Sequence, residues 1–288
     1  MKLPDLNKDD IPQIVKGVTD VEDPRKGGQK LVFACKYKGN PYVIKFLLIK
    51  NPNDSEDLED NSHLIDEVFL RAKREVEIMT QCKTSHLAKL GPIGLKKTVY
   101  NNQNLIYFSE EFYENSLESQ ISAIGDTPLE QIIRLGRNIN QAITHLWSLR
   151  KVHRDIKPGN IMQRSKTGEY VLLDMGMAFD LVGDSYTAPG IIPGTPQYVS
   201  PQQLDLIRKR DLDFRSDLFC LGIVLYETTT KKHPFKTHAT MTHERWLYSI
   251  QNNTPKRPSH FRTDLTPSLE MIIMRLLAKQ SHQRYNSC

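Results

Sequence analysis

The pattern of apolar and polar positions changes period along the chain, and that change predicts its architecture. Leu31 to Tyr37 and Tyr42 to Ile49 are rich in β-branched and aromatic residues, with the turn-forming Lys38-Gly39-Asn40-Pro41 between them, so a β-hairpin is predicted. Residues 51–62 are acidic and almost devoid of apolar groups, which reads as a loop. Leu64, Val68, Ala72, Val76 and Met79 then recur at helical spacing and predict a helix from about Leu64 to Cys82. Residues 92–112 predict two more strands around a turn at Asn101-Asn102-Gln103-Asn104.

Beyond residue 112 the helical period dominates. From Pro128 to Leu149, the residues Ile132, Leu135, Ile139, Ile143, Leu146 and Leu149 share one face, with Thr127 as the expected N-cap. Ser216 to Thr230 is apolar nearly all round, which predicts a buried helix. A last helix is predicted from about Ser268 to Ala278, and no internal repeat interrupts the series. The composition shifts near residues 111–117, so the fold class is α+β with two lobes. A small β-rich lobe carries one main helix, and a larger lobe is helical. The cleft expected between them is the default ligand site.

Composition narrows the function classes. The 288 residues are 39% hydrophobic and 25% charged, enough for an ordinary buried core. The net charge of +5 is mild. The short clusters Arg208-Lys209-Arg210 and Lys256-Arg257 read as solvated surface, not as a nucleic-acid patch. Cys35, Cys82, Cys220 and Cys288 form no C-x-x-C pair, which points to a reducing compartment. His233, His238 and His243 lie five apart, a spacing that does not stack metal ligands on one helix face. The longest apolar run, Phe219 to Tyr226, is too short to span a bilayer, and Met-Lys-Leu-Pro-Asp lacks an apolar signal region. A cytoplasmic location is expected.

The candidate chemistry lies in His153-Arg154-Asp155-Ile156-Lys157-Pro158-Gly159-Asn160. This run sets an acid, a cation and an amide in one tight loop, and a second carboxylate, Asp174, follows 19 residues beyond Asp155. Such a set suits moving a phosphoryl group from a metal-bound nucleotide to a hydroxyl.

In order along the chain come Lys45 in Tyr-Val-Ile-Lys-Phe, the loop around Asp155, Asp174-Met175-Gly176, and Gly194-Thr195-Pro196-Gln197-Tyr198-Val199-Ser200-Pro201-Gln202. This series resembles the protein-kinase family over about residues 25–285. The resemblance divides the chain into an N-terminal extension, 1–24, and a catalytic domain, 25–288, whose lobes are about 25–111 and about 112–288. It implies that Asp155 is the catalytic base and that Lys157 offsets charge on the transferred phosphate. Asn160 and Asp174 would hold Mg²⁺, with Mn²⁺ as an alternative. Lys45 would meet the phosphates of ATP and pair with a helix carboxylate, for which Glu75 fits the pattern better than Glu77. Thr195 with Lys157 is the Ser/Thr-kinase variant, and the segments Leu277 to Tyr285 and Ser200 to Gln203 look like bacterial members.

The implied nucleotide-binding set is Gly27, Gly28, Val32, Val43, Lys45, Glu111, Phe112, Tyr113 and Met162, with Glu110 at the rear of the pocket. Here the sequence departs from the family. With Val32 as the reference, Arg25, Gly27 and Lys30 occupy the three positions of the phosphate-covering loop that are normally glycine. Gln202 likewise replaces a glutamate that would pair with Arg284; a neutral amide can still hydrogen-bond that guanidinium, but the bidentate charged pair is lost. Met79, Leu90, Met175 and His153 would form an apolar stack standing on Asp217. Arg154 would pair with a phosphorylated Ser185, Tyr186 or Thr187.

An ATP-dependent Ser/Thr protein kinase is the function these residues imply, with protein substrates and no membrane segment; dimerisation for autophosphorylation is left open. The alternatives are a pseudokinase acting as a binding module, suggested by the altered glycine loop, and a kinase of this fold acting on a non-protein acceptor.

Overall fold

A computed structural model describes residues 5–26, 30–47, 58–180, 195–204 and 212–288. Gly27, Gly28, Ser185, Tyr186 and Thr187 lie outside those residues. The chain divides into two compact units, Met1–Cys82 with Ala88–Phe112, and Lys83–Leu87 with Tyr113–Cys288.

The first unit is built on an antiparallel sheet. Its described strands are β1 (Val18–Thr19), β2 (Arg25–Lys26), β3 (Lys30–Tyr37), β4 (Asn40–Leu47), β5 (Lys96–Tyr100) and β6 (Gln103–Glu111), in the order β1-β3-β4-β6-β5, with β2 also pairing β3. Two tight turns set the register. Lys38 and Gly39 have φ of +50° and +80°, and Asn101 and Asn102 have +48° and +59°. Paired left-handed residues match the twist of the flanking strands, and asparagine and glycine adopt that conformation at least cost.

Alternation then sorts the side chains. One face presents Leu31, Phe33, Cys35, Ile44, Phe46, Leu105 and Tyr107, which pack with Leu6, Ile11, Val15 and Val18 in one cluster. Residues 5–19 therefore belong to this unit, contributing helix α1 (Ile11–Ile14) and an edge strand. On the other face, the register sets Val32 opposite Lys45, Lys45 opposite Phe108, and Val43 opposite Glu110. Helix α2 (Leu58–Gln81) buries Ala72, Glu75, Ile78 and Met79, a spacing that defines one helix side. The helix starts six residues before the predicted Leu64. Polar residues are compatible with a helical turn that need not present an apolar face, so apolar spacing misses such a start.

The second unit is mainly helical: α3 (Leu117–Ser122), α4 (Leu129–Ser148), α5 (Pro201–Leu204), α6 (Phe214–Thr230), α7 (His243–Asn252) and α8 (Pro267–Leu276). Helix α6 is buried from Phe214 to Thr230 except at Arg215 and Glu227, as its unbroken apolar run predicts. It approaches α8 so closely that a Cβ on Gly222 would lie 2.8 Å from the Cβ of Leu276. Thr127 does not cap α4. Its hydroxyl accepts from Lys231 Nζ at 3.3 Å and its carbonyl from Arg262 at 2.6 Å, so it ties loops together instead. Short strands β7 (Asn115–Ser116), β9 (Ile161–Gln163) and β10 (Tyr170–Leu172) form one small sheet, and β8 (Lys151–Val152) pairs β11 (Phe179–Asp180). These short ladders fix the loops that carry the candidate chemistry. No helix among the described residues is long and apolar enough to cross a membrane.

Candidate active site

The loop between β8 and β9 is held from below by one carboxylate. Asp217, buried in the first turn of α6, accepts from the backbone N–H of His153 at 2.8 Å and of Arg154 at 3.0 Å. Burial pushes its carboxyl above the usual carboxylate range, against the opposing pull of His153 and these two N–H groups. Arg154 sits at φ +68°, a left-handed conformation that an arginine adopts only when its neighbours enforce it. The His153 ring bonds the carbonyl of Leu173 at 3.0 Å, tying this loop to the one that carries Asp174.

That anchoring presents Asp155 to a ring of donors. Its Oδ2 accepts from Lys157 Nζ at 2.8 Å and from Asn160 Nδ2 at 2.9 Å. Its Oδ1 accepts from the Thr195 backbone N–H at 3.2 Å and the Thr195 hydroxyl at 3.3 Å. Lys157 also donates to Thr195 Oγ1 at 2.6 Å, closing a triangle of acid, cation and hydroxyl. Residues 38 to 40 apart in sequence thus meet around one carboxylate.

Asn160 and Asp174 are brought together by the β9–β10 ladder. Ile161 pairs with Leu172, and the pairing continues as Leu173 N–H donates to Asn160 O at 2.8 Å. Asp174 lies one residue further on, at φ +59°, with Oδ1 accepting from Gly176 N–H at 3.3 Å. The Asn160 amide directs its two hydrogens to the carbonyl and Oδ2 of Asp155, both at 2.9 Å, so its own Oδ1 is the atom turned away from these donors. An outward amide oxygen and a nearby carboxylate are hard oxygen donors of the kind Mg²⁺ takes, so these residues fit that ion.

In the first unit, Glu75 is buried while Glu77 is exposed and lies 3.9 Å from Lys73 on the helix surface. Lys45 lies 3.5 Å from Glu75 Oε1, but its shorter contact, 2.5 Å, is to Glu110 Oε1. Lys30 holds Glu75 more closely, at 3.1 Å and 2.8 Å to the two oxygens. Lys30, which stands where the family has a loop glycine, is 45 residues from Glu75 in sequence, so no local pattern signals the pairing. Burial pushes Glu110 toward its protonated form, while Lys45 pulls it back. Val32 and Val43 are half-buried on the same sheet face, Glu111 and Phe112 end this unit, and Tyr113 and Met162 are buried in the other.

The segment after Thr195 is fixed to the helical unit. Tyr198 donates to Glu227 at 2.6 Å, and the His233 ring bonds Gln197 O at 3.0 Å while packing edge-on to Tyr198 and Trp246. Burial pulls the His233 imidazole down to about 4 from an ordinary 6.5. Between those values the unfolded chain binds a proton that the folded chain refuses. His233 therefore contributes stability that is fully present above about pH 6.5 and is lost as the pH falls toward 4. In melts taken across that window, His233→Gln is expected to lose less stability per pH unit than the wild type.

Gln202 and Arg284 do not hydrogen-bond each other. Gln202 Nε2 donates to Lys279 O at 3.0 Å, and the Arg284 guanidinium donates to the carbonyls of Ala278, Arg215 and Lys279. With no carboxylate at position 202, both donors converge on backbone oxygens, and Gln202 Oε1 is buried without a hydrogen-bond partner among the described residues.

The chain belongs to the protein kinase family: the Protein kinase domain matches residues 26–288. Among its relatives is the serine/threonine-protein kinase PknB of Mycolicibacterium smegmatis, 30% identical over 222 residues that cover 76% of this chain and 34% of the relative. A probable serine/threonine-protein kinase of Streptomyces coelicolor is 28% identical over 221 residues, covering 75% of this chain and 32% of the relative. The serine/threonine-protein kinase pkn3 of Myxococcus xanthus is 31% identical over 163 residues, 54% of this chain and 29% of the relative. The chain thus spans about a third of the length of these curated relatives.

Proposed function

We propose that the chain is an ATP-dependent Ser/Thr protein kinase that transfers the γ-phosphoryl group to serine or threonine hydroxyls of proteins. The observation that carries this reading is the donor ring around Asp155, with Lys157 bridging to Thr195 at 2.6 Å. Asp155 accepts the proton of the attacking hydroxyl. Lys157 bears the charge that grows on the transferred group. Thr195 orients both, since its backbone N–H and hydroxyl address Asp155 and its oxygen receives Lys157. Asn160 Oδ1 and Asp174 are the ligands that would hold Mg²⁺, whose charge offsets that of the nucleotide phosphates. Lys45 is the cation offered to those phosphates, with Glu75 setting its position. Val32, Val43, Glu111, Phe112, Tyr113, Met162, Gly27 and Gly28 are the remaining nucleotide-binding candidates.

The test is transfer of label from γ-labelled ATP, with Mg²⁺, to a general protein acceptor and to the chain itself. Label on serine and threonine, absent from Lys45→Met, is expected. Label on tyrosine or on non-protein acceptors alone, or equal labelling by Lys45→Met, would overturn the proposal.

A further inference from the structure

Four charged groups of the described residues meet around Lys45 on one face of the sheet. Lys30 and Val32 lie on the same side of β3, because alternate strand residues share a face. Val32 is opposite Lys45, and Lys30 is opposite Leu47, so the two lysines are diagonal neighbours. Glu110, opposite Val43, is the diagonal neighbour of Lys45 on its other side. Helix α2 adds Glu75. The result is two cations and two carboxylates, with the Glu75 side chain 0% exposed, Glu110 1%, Lys45 7% and Lys30 13%.

The distances divide this set unevenly. Glu75 receives both of its short contacts from Lys30, at 2.8 Å and 3.1 Å, while Lys45 stands 3.5 Å away and gives its 2.5 Å contact to Glu110. A buried carboxylate that loses its only close cation is strongly destabilised. If Lys45 were the sole partner of Glu75, turning Lys45 toward a phosphate would leave that carboxylate poorly compensated. With Lys30 in place, Glu75 stays paired whichever way Lys45 turns.

Resting on the roles proposed above for Lys45 and Glu75, we infer that Lys30 is a positioning residue of the phosphoryl-transfer reaction. It fixes Glu75, and through Glu75 the buried side of α2, and so releases Lys45 for the nucleotide. A lysine at a position of the glycine loop is then a replacement with a task, rather than a lesion in that loop. Arginine supplies the same charge and can likewise donate to both Glu75 oxygens, whereas methionine keeps the length and loses the charge.

The experiment compares wild type, Lys30→Met, Lys30→Arg, Glu75→Gln, the Lys30→Met/Glu75→Gln double variant and Lys45→Met. Steady-state transfer from ATP with Mg²⁺ is measured for each, alongside thermal unfolding. Lys30→Met is expected to lower kcat by about tenfold or more, the scale of losing one charge-assisted contact at a buried site. KM for ATP should change less than kcat, and Lys30→Arg should recover to within about threefold of wild type. Because Lys30 acts through Glu75, the double variant should be no slower than Glu75→Gln alone. The double variant also removes both charges together, so it is the folded comparator if Lys30→Met proves unstable.

Unchanged kcat in Lys30→Met overturns the inference. So does an increase in KM for ATP with kcat intact, which would make Lys30 a direct nucleotide contact. Independent, multiplicative losses in the double variant overturn it as well. An inactive Lys45→Met beside a fully active Lys30→Met would remove only this inference, whereas an active Lys45→Met would remove the functional reading on which it rests.

Discussion

Asp155→Asn is expected to lower the rate of phosphoryl transfer by about 10²–10⁴-fold, the range over which a positioned acid–base group acts. The side chain keeps its shape, but its chemistry is inverted. In the native loop both oxygens of Asp155 receive hydrogen bonds, from Lys157 and Asn160 on one and from Thr195 on the other. An asparagine must turn its NH₂ group toward one of those two sets of donors, so donor faces donor. The variant loses the proton acceptor and also loosens Lys157 and Thr195, which are held through it. Single-turnover transfer, with thermal melts to show that the variant is folded, checks this. A rate within threefold of wild type would remove Asp155 from the chemistry.

The parts of this arrangement that were readable in the sequence are those held by local spacing. Residues 31–37 and 42–47 are legible as nearly continuous runs of strand-forming residues, and the pleat sends Leu31, Phe33, Cys35, Ile44 and Phe46 to the face that packs on Leu6, Ile11 and Val15. The loop from His153 to Asn160 is legible because Asn160 lies five positions after Asp155, and the bond between them is made within that loop. Features that depend on pairings made only in three dimensions were not legible. Lys30 and Glu75 are 45 residues apart, and nothing in either local pattern announces that they meet. The resemblance sets Glu110 at the rear of the pocket, but its contact with Lys45 is visible only once the register sets the two diagonally next to each other. Thr127 has the look of a helix cap, yet distant Lys231 and Arg262 claim it first. The loss of the Gln202–Arg284 contact has the same origin. An amide is a weaker draw for a guanidinium than a carboxylate, so backbone carbonyls win the competition.

The other large effect falls on Asp217, which touches none of the proposed reacting groups. Asp217→Ala is expected to destabilise the fold by about 3 kcal/mol, because it leaves two buried backbone N–H groups without acceptors at roughly 1–3 kcal/mol each. Part of that cost is offset, since burial already penalises the Asp217 carboxylate. The same substitution should slow transfer in molecules that remain folded. The Asp217 oxygens hold His153 and Arg154 at 2.8 Å and 3.0 Å, and Arg154 adopts its φ of +68° immediately before Asp155. Without that anchor the strained residue can relax toward the right-handed or extended regions, at a gain of order 1–3 kcal/mol, and the direction of Asp155 changes with it. Asp217→Asn separates the two consequences. It keeps one acceptor oxygen, so its stability should lie between those of wild type and alanine, while its NH₂ group faces a backbone N–H and still disturbs the loop. Urea unfolding and transfer assays on the three proteins check the pair of effects. Equal stability of all three would show that the His153 and Arg154 amides find other partners, and full activity in Asp217→Ala would show that the Asp155 loop holds its shape without this anchor.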